Sequence, residues 1–263
     1  MTSITARLND LRRKNQKALI AYLTAGDPTP ERTASLVLAL ERGGADIIEL
    51  GVPFSDPIAD GPVIQRAAER ALAAGTNLRK VLDIAAQIRS NSDIPLVLFT
   101  YLNPVLKYGA AKLAADAKAV GIDGVLLTDL SVEEADRHIA PFRDHHLDTV
   151  FLAAPTSTDR RLHLVAKYST GFVYLVSRAG VTGERDSLSA SAAPLVERMR
   201  HSTDLPLALG FGIATPEQAR DAAQLADAVV VGSAFVRLIE KTGAEGNLEE
   251  ELESFTRSLK KNL

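Results

Sequence analysis

The feature that most constrains this chain is an alternation repeated along its length: short β-branched or apolar runs, each followed by a helical pattern of apolar residues. The runs are Leu19–Ala25, Asp46–Val52, Pro95–Tyr101, Gly124–Asp129, Thr149–Ala154, Phe172–Ser177, Leu205–Gly210 and Ala228–Gly232. Strands that alternate with helices predict a parallel sheet, because parallel partners need long crossover connections. Eight such units predict closure into a (β/α)8 TIM barrel, since closure removes the edges that an open sheet must protect. The 263 residues suit a single barrel domain spanning 1–263, and no linker, low-complexity segment or composition shift divides them.

Two additions to the plain barrel are expected. The charged, helix-like N-terminal segment MTSITARLNDLRRKNQKALI precedes the first strand, and the long gap after the second strand holds two helical patterns, Pro62–Ala74 and Leu78–Ser90. Thr29-Pro30, Ser131 with Glu134, and Thr215-Pro216 with Gln218 read as helix starts: caps, a capping box and first-turn prolines. The segment Arg178–Ser189, rich in Gly, Ser and charge, reads as a mobile βα loop, with Gly180 to Gly183 offering flexible amides.

Composition narrows the chemistry. A formal net charge of -3 implies no extended basic surface for nucleic acid, and the absence of cysteine excludes disulfides, thiolate nucleophiles and Cys-based metal sites. His145 and His146 are adjacent, while His138, His163 and His201 fall on expected outer helices, so no metal site is expected. Nothing resembles a signal peptide or a membrane span, which leads to the expectation of a cytoplasmic enzyme.

In a barrel, chemistry gathers at the C-terminal ends of the strands and in the loops after them. In ADIIELGVPFSDPIADGP, alternation puts Ile47, Glu49 and Gly51 on one strand face. Glu49 is therefore a carboxylate set in an apolar strand. Facing the barrel axis, it would have a raised pKa suited to proton transfer near neutrality; facing a cation, it would be a structural ion-pair partner. The stiff loop that follows carries Ser55, Asp56 and Asp60. Asp60 could pair with Glu49 as a catalytic dyad, or Asp56 and Asp60 could be turn-formers. ALGFGIATPEQ and AVVVGSAFV place Gly210, Gly212, Gly232 and Ser233 at the ends of the last two strands, where barrels often bind phosphate on backbone amides and helix N-termini.

Taken together, LTAGDP, IIELGVPFSDPIADGPVIQ, YLVSRAGVTG, GFGI and VVGSA resemble, in order, the α subunit of the tryptophan synthase family, over about residues 17 to 240. The resemblance implies a TIM-barrel lyase performing retro-aldol cleavage of indole-3-glycerol phosphate to indole and glyceraldehyde 3-phosphate. Glu49 matches the family's acid–base residue and Asp60 the carboxylate that binds the indole N–H. Thr182 matches the residue that anchors the closing loop against Asp60. Gly183, Gly212, Gly232 and Ser233 match the phosphate cradle, and Tyr22, Phe99, Tyr101, Tyr174 and Phe211 fall where the indole pocket is lined. The resemblance also implies a tryptophan synthase β subunit as partner in an α2β2 heterotetramer. No cofactor is expected in this chain, pyridoxal phosphate belonging to the partner. Asp56, Pro57, Asn103, Pro104 and Ser131 are the expected contacts.

The chain departs from the family pattern at three of these positions. Tyr22 stands where Phe is common, Phe99 where a smaller aliphatic is frequent, and Ser131 where Pro is usual. Competing readings are another phosphate-binding barrel enzyme, such as an epimerase or isomerase, a stand-alone lyase, and a regulatory binding subunit. The first explains the glycine loops but not GVPFSDPIADGP. An intact Glu49 and Asp60 argue against the last.

Overall fold

The computed structural model describes residues 3–176, 188–210, 212–243 and 246–263, with 188–191 described by backbone alone. The strands are β1 (Ala18–Thr24), β2 (Ile47–Gly51), β3 (Leu96–Thr100), β4 (Gly124–Leu127), β5 (Asp148–Val150), β6 (Leu152–Ala153), β7 (Val173–Val176), β8 (Leu207–Gly210) and β9 (Ala228–Val231). They pair in parallel in the order β5-β4-β3-β2-β1-β9-β8-β7-β6. The two ends of that order are consecutive pieces of one run, so the ladder returns to the segment on which it began and the barrel closes. The run expected as a single strand at Thr149–Ala154 is split at Phe151 because it changes partner there: its first half pairs with β4 and its second with β7.

Helices surround the strands. The two expected after β2 are present as Pro62–Ala73 and Leu78–Arg89, and the N-terminal helix as Ser3–Arg13. The third unit also carries two, Leu102–Tyr108 and Ala110–Ala119, and so does the last, Ser233–Thr242 and Leu248–Lys260. These additions were not anticipated; Gly109 and Gly243, with positive φ, stop one helix before the next begins. Thr215 caps its helix, accepting from Gln218 N–H, while Gln218 returns a side-chain oxygen to Ala214 N–H at 2.8 Å. The capping box read at Ser131 is not formed. A short 3-10 turn starts there instead, and the Ser131 hydroxyl donates to Glu133.

Alternation along the strands sorts the core into two layers. Ile20, Ile47, Val97, Leu126, Val150, Phe172, Ala208 and Val230 fill the interior and meet Ile4, Leu8 and Leu11 of the N-terminal helix, which plugs one end. Leu19, Ile48, Leu50, Leu96, Leu98, Val125, Leu175, Leu209 and Val229 point outward to the helices.

The plugged end is tied by a repeated polar clamp. Asp46 Oδ2 accepts from Leu19 N–H (2.8 Å) and Lys260 Nζ (2.6 Å). Asp123 Oδ2 accepts from Leu96 N–H (2.9 Å) and Arg89 (3.0 Å), and Asp227 Oδ2 from Leu207 N–H (2.8 Å) and Arg200. Each aspartate's own N–H donates back to the same leucine's carbonyl, at 2.8 to 2.9 Å. One carboxylate thus satisfies a backbone donor where a strand begins and pins an outer helix by a charge.

Removing the buried Asp46 would orphan Leu19 N–H and leave Lys260 without its counter-charge. Asp46→Ala is expected to cost about 3 kcal/mol and Asp46→Asn, which keeps an acceptor, about 1–2 kcal/mol. Urea denaturation of both variants checks the order; equal losses would mean that the amide bond contributes little.

Candidate active site

At the end of the barrel opposite the plug, the interior positions cease to be aliphatic. Following Ile20, Ile47, Val97 and Phe172 by two residues each, the inward side chains become Tyr22, Glu49, Phe99 and Tyr174. They line a cavity of about 320 Å³ with Gly61–Ile64, Gly212, Val230, Gly232, Ser233 and Arg237, within the range of small-ligand sites. Tyr22 and Phe99 meet edge to face at 5.0 Å between ring centres, and the Tyr22 hydroxyl lies 3.1 Å from Thr24 Oγ1.

Two glycines make this aromatic lining possible. A Cβ at Gly51 would sit 2.4 Å from the Tyr22 hydroxyl, and one at Gly210 would sit 2.4 Å from the Tyr174 hydroxyl. Gly210, read from the sequence with the phosphate loops, therefore clears space for a ring. The two other glycines expected at an anion site line the cavity in different ways. Gly212 has φ +83, with open space where a side chain would stand. Gly232 is the N-cap of the helix Ser233–Thr242, so Ser233 opens that helix facing the cavity.

Glu49 is the decisive residue. Only 1% exposed, it has an Oε1 with no hydrogen-bond partner and no ion pair among the described residues. The structural ion-pair alternative is not what the fold builds. Burial pushes its carboxyl up to about 8, so at neutral pH it is mainly protonated.

Asp60 stands just before the helix Pro62–Ala73 and does not itself line the cavity. The phenols of Tyr22 and Tyr174 are pushed up mainly by burial, with the charge of Asp60 adding to it. Burial lifts Asp60 to about 6, opposed by the Tyr101 hydroxyl, which donates to Asp60 Oδ2 at 2.9 Å. The same hydroxyl accepts from Ala59 N–H at 3.1 Å, and the Tyr101 ring packs on Phe54. Tyr101, expected in the indole pocket, is thus a brace for the acidic loop. The two carboxyls are set apart, Glu49 protonated and Asp60 ionised, an arrangement able to donate a proton and stabilise a nearby cation.

The walls are held by ions. Arg70 makes two 2.8 Å bonds to the buried Asp27, and Arg66 and Arg70 together grip Glu240, locking the helix Pro62–Ala73 to Ser233–Thr242. Arg237 was missed by the sequence reading; its signal was a cation one turn beyond Ser233. Among the described residues, no group of three or more His, Asp or Glu is placed to hold a metal ion. Thr182, Gly183, Phe211 and the expected loop up to residue 187 lie outside the described residues.

The profile described as tryptophan synthase alpha chain matches residues 8–263. The chain belongs to the tryptophan synthase alpha chain family. A relative from Solibacter usitatus named tryptophan synthase alpha chain is 67% identical over 261 residues, covering 99% of this chain and 98% of its own. A Geobacter sulfurreducens relative of the same name is 48% identical, with the same coverage. The crystal structure of tryptophan synthase subunit alpha from Legionella pneumophila superposes with a TM-score of 0.91 at 37% identity, covering 100% of this chain and 98% of that one. That of the tryptophan synthase complex from Pyrococcus furiosus does so with a TM-score of 0.83 at 40% identity, covering 93% and 98%. The chain is therefore an enzyme subunit with the barrel of its family.

Three loops meet at the rim of this family barrel. Asp56 and Pro57 stand in the β2 loop beside Ile58, which is 84% exposed. Asn103 and Pro104 lie in the first turn of the helix Leu102–Tyr108, near the exposed Leu106. Asp129, two residues before the exposed Ser131, accepts from Leu102 N–H at 2.7 Å.

Folded Glu49 keeps its proton to about pH 8, whereas an unperturbed glutamate releases it near 4.5. The folded state then binds more protons between those values, and its stability drains as pH rises through that window. Glu49→Gln carries no such penalty. Its melting temperature should gain on wild type from pH 5 to pH 8; a constant gap in calorimetry would show a normally ionising carboxyl. Tyr101→Phe removes the bond that lowers Asp60, so a carboxyl carbon NMR titration should place Asp60 above about 6; no movement would deny Tyr101 its bracing role.

Proposed function

We propose that this chain cleaves indole-3-glycerol phosphate to indole and glyceraldehyde 3-phosphate as the α subunit of a cytoplasmic tryptophan synthase. The observation that carries the reading is the buried, unpartnered Glu49, protonated at neutral pH inside the cavity, with an ionised Asp60 on the loop that follows its strand. Glu49 gives its proton to indole C3, and the ring becomes a cation. Asp60 accepts the indole N–H bond and offsets the developing charge. The Glu49 carboxylate then takes the proton of the glycerol hydroxyl next to the ring. As that oxygen becomes a carbonyl, the carbon–carbon bond breaks and its electron pair restores the indole, leaving Glu49 protonated again.

Tyr22, Phe99 and Tyr174 supply the apolar walls for the indole, and Gly212, Gly232 and Ser233 the amides and hydroxyl for the phosphate. The rim carrying Asp56, Pro57, Asn103, Pro104 and Ser131, with Ile58 and Leu106 exposed on it, is the surface for a β subunit that carries pyridoxal phosphate in an α2β2 assembly. The Pyrococcus furiosus neighbour, a tryptophan synthase complex, supports a partner of that kind. Docking there would steady Asp60 through its loop.

The test follows indole release from indole-3-glycerol phosphate with and without a tryptophan synthase β subunit. Wild type should release indole, the β subunit should raise the rate, and ligand occupancy should in turn alter the equilibrium affinity for that partner by a coupling of about 1–3 kcal/mol. Glu49→Gln and Asp60→Asn should each lose about 10²–10⁴-fold while keeping their circular dichroism. Release unaffected by partner would favour a stand-alone lyase, and none from wild type in either condition would refute the reading.

A further inference from the structure

We infer that Arg237 is a phosphate-binding residue of this site, a side-chain cation that adds to the backbone amides at the helix start. The inference rests on the proposed function and deepens it. Three observations carry it. First, the residues lining the cavity include one cation among those described, Arg237, and one carboxyl, Glu49. Second, Arg237 lies four residues after Ser233 on the helix Ser233–Thr242, so the two share a helix face directed at the cavity. Third, Arg237 is exposed and makes no hydrogen bond or ion pair among the described residues.

The third point gains weight from its neighbours. Glu240, on the same helix, is already gripped by Arg66 and Arg70. On its other side Arg237 borders a wider groove that holds Glu250 and Glu251, but Asn247 donates to the first and Thr242 to the second. The carboxylates on hand thus have partners, while the guanidinium faces both groove and cavity without one.

Charge balance gives this arrangement its use. A phosphate monoester enters as nearly a dianion, into a site where the protonated Glu49 supplies no positive charge and the ionised Asp60 nearby repels it. A helix N-terminus offers the equivalent of about half a positive charge. A guanidinium supplies a full charge and paired N–H donors suited to phosphate oxygens. Because Arg237 stands at the solvent edge, its attraction should also be weakened by salt.

The test uses the full chain with glycerol 3-phosphate and indole as separate probes by isothermal titration, and indole-3-glycerol phosphate turnover with a β subunit present. Arg237→Ala should weaken glycerol 3-phosphate about tenfold, equivalent to about 1.4 kcal/mol, and raise KM for indole-3-glycerol phosphate in parallel. Saturated turnover should fall far less than KM rises, and indole affinity should hold. Arg237→Lys should recover part of the affinity, and the alanine variant should lose salt sensitivity. Unchanged glycerol 3-phosphate affinity in Arg237→Ala, with wild-type turnover intact, would overturn the inference and leave the proposed function standing. Equal loss of indole and glycerol 3-phosphate binding would also overturn it, by pointing to a damaged fold. Failure of wild type to release indole would remove the function beneath it.

Discussion

Closing a parallel sheet on itself makes every inward side chain a resident of a water-poor interior, and the remaining features of this molecule follow from that constraint. Over the lower part of the barrel it is met by Ile20, Ile47, Val97, Leu126 and Val150 packed on the N-terminal helix. Glu49 breaks the rule. With no partner for one of its oxygens, the carboxyl escapes the full cost of a buried charge by holding its proton. The same desolvation that makes Glu49 unfavourable as a structural residue makes it a proton donor near neutral pH. Its cost is borne by the aliphatic layers around it.

The two ends of the barrel solve opposite problems. At the plugged end, the aspartates preceding β2, β4 and β9 each bind a backbone amide and a cation from an outer helix, so charges there are compensated. At the open end, beside the ion pairs that hold the walls, three groups are left in need. Glu49 lacks a partner, Asp60 has a neutral phenol in place of a cation, and Arg237 has no counter-ion among the described residues. Satisfied polar groups hold the strands in register; unsatisfied ones are the groups a ligand can satisfy.

Much of this was legible in the sequence because it is periodic. A period of two gave Glu49 the same face as Ile47, and the apolar runs marked every strand to within a few residues. What escaped depended on contacts between residues far apart in the chain. Nothing local in Gly51 or Gly210 says that a tyrosine ring from another strand needs the space, and Gly210 was read as part of an anion loop. Tyr101 was placed at the indole pocket by resemblance alone, and nothing in its own sequence context says that its hydroxyl reaches Asp60, 41 positions away. Ser131 with Glu134 had the spacing of a capping box, but the chain makes only a 3-10 turn there, and the hydroxyl turned to Glu133. The split at Phe151 was hidden for a similar reason, since a change of partner leaves no mark in the hydrophobic pattern.

The rim shows how a surface contact could reach the chemistry without any large motion. Asp60 is held by the Tyr101 hydroxyl, which also accepts from Ala59 N–H. The next residue, Leu102, donates its N–H to Asp129, two positions before the exposed Ser131. A hydrogen-bonded path therefore links the outer loop after β4, the start of the helix Leu102–Tyr108 and the acidic loop after β2. Ile58 and Leu106 stand exposed at two points on it. Under the proposed assignment, a partner covering those side chains would act on Asp60 by narrowing the range of positions its loop samples. Asp60, unlike Glu49, is not fixed by a strand, so its placement is the part of the site most open to such bias. Any binding energy that favours the ordered loop must then appear again as tighter retention of a ligand that needs Asp60 in place.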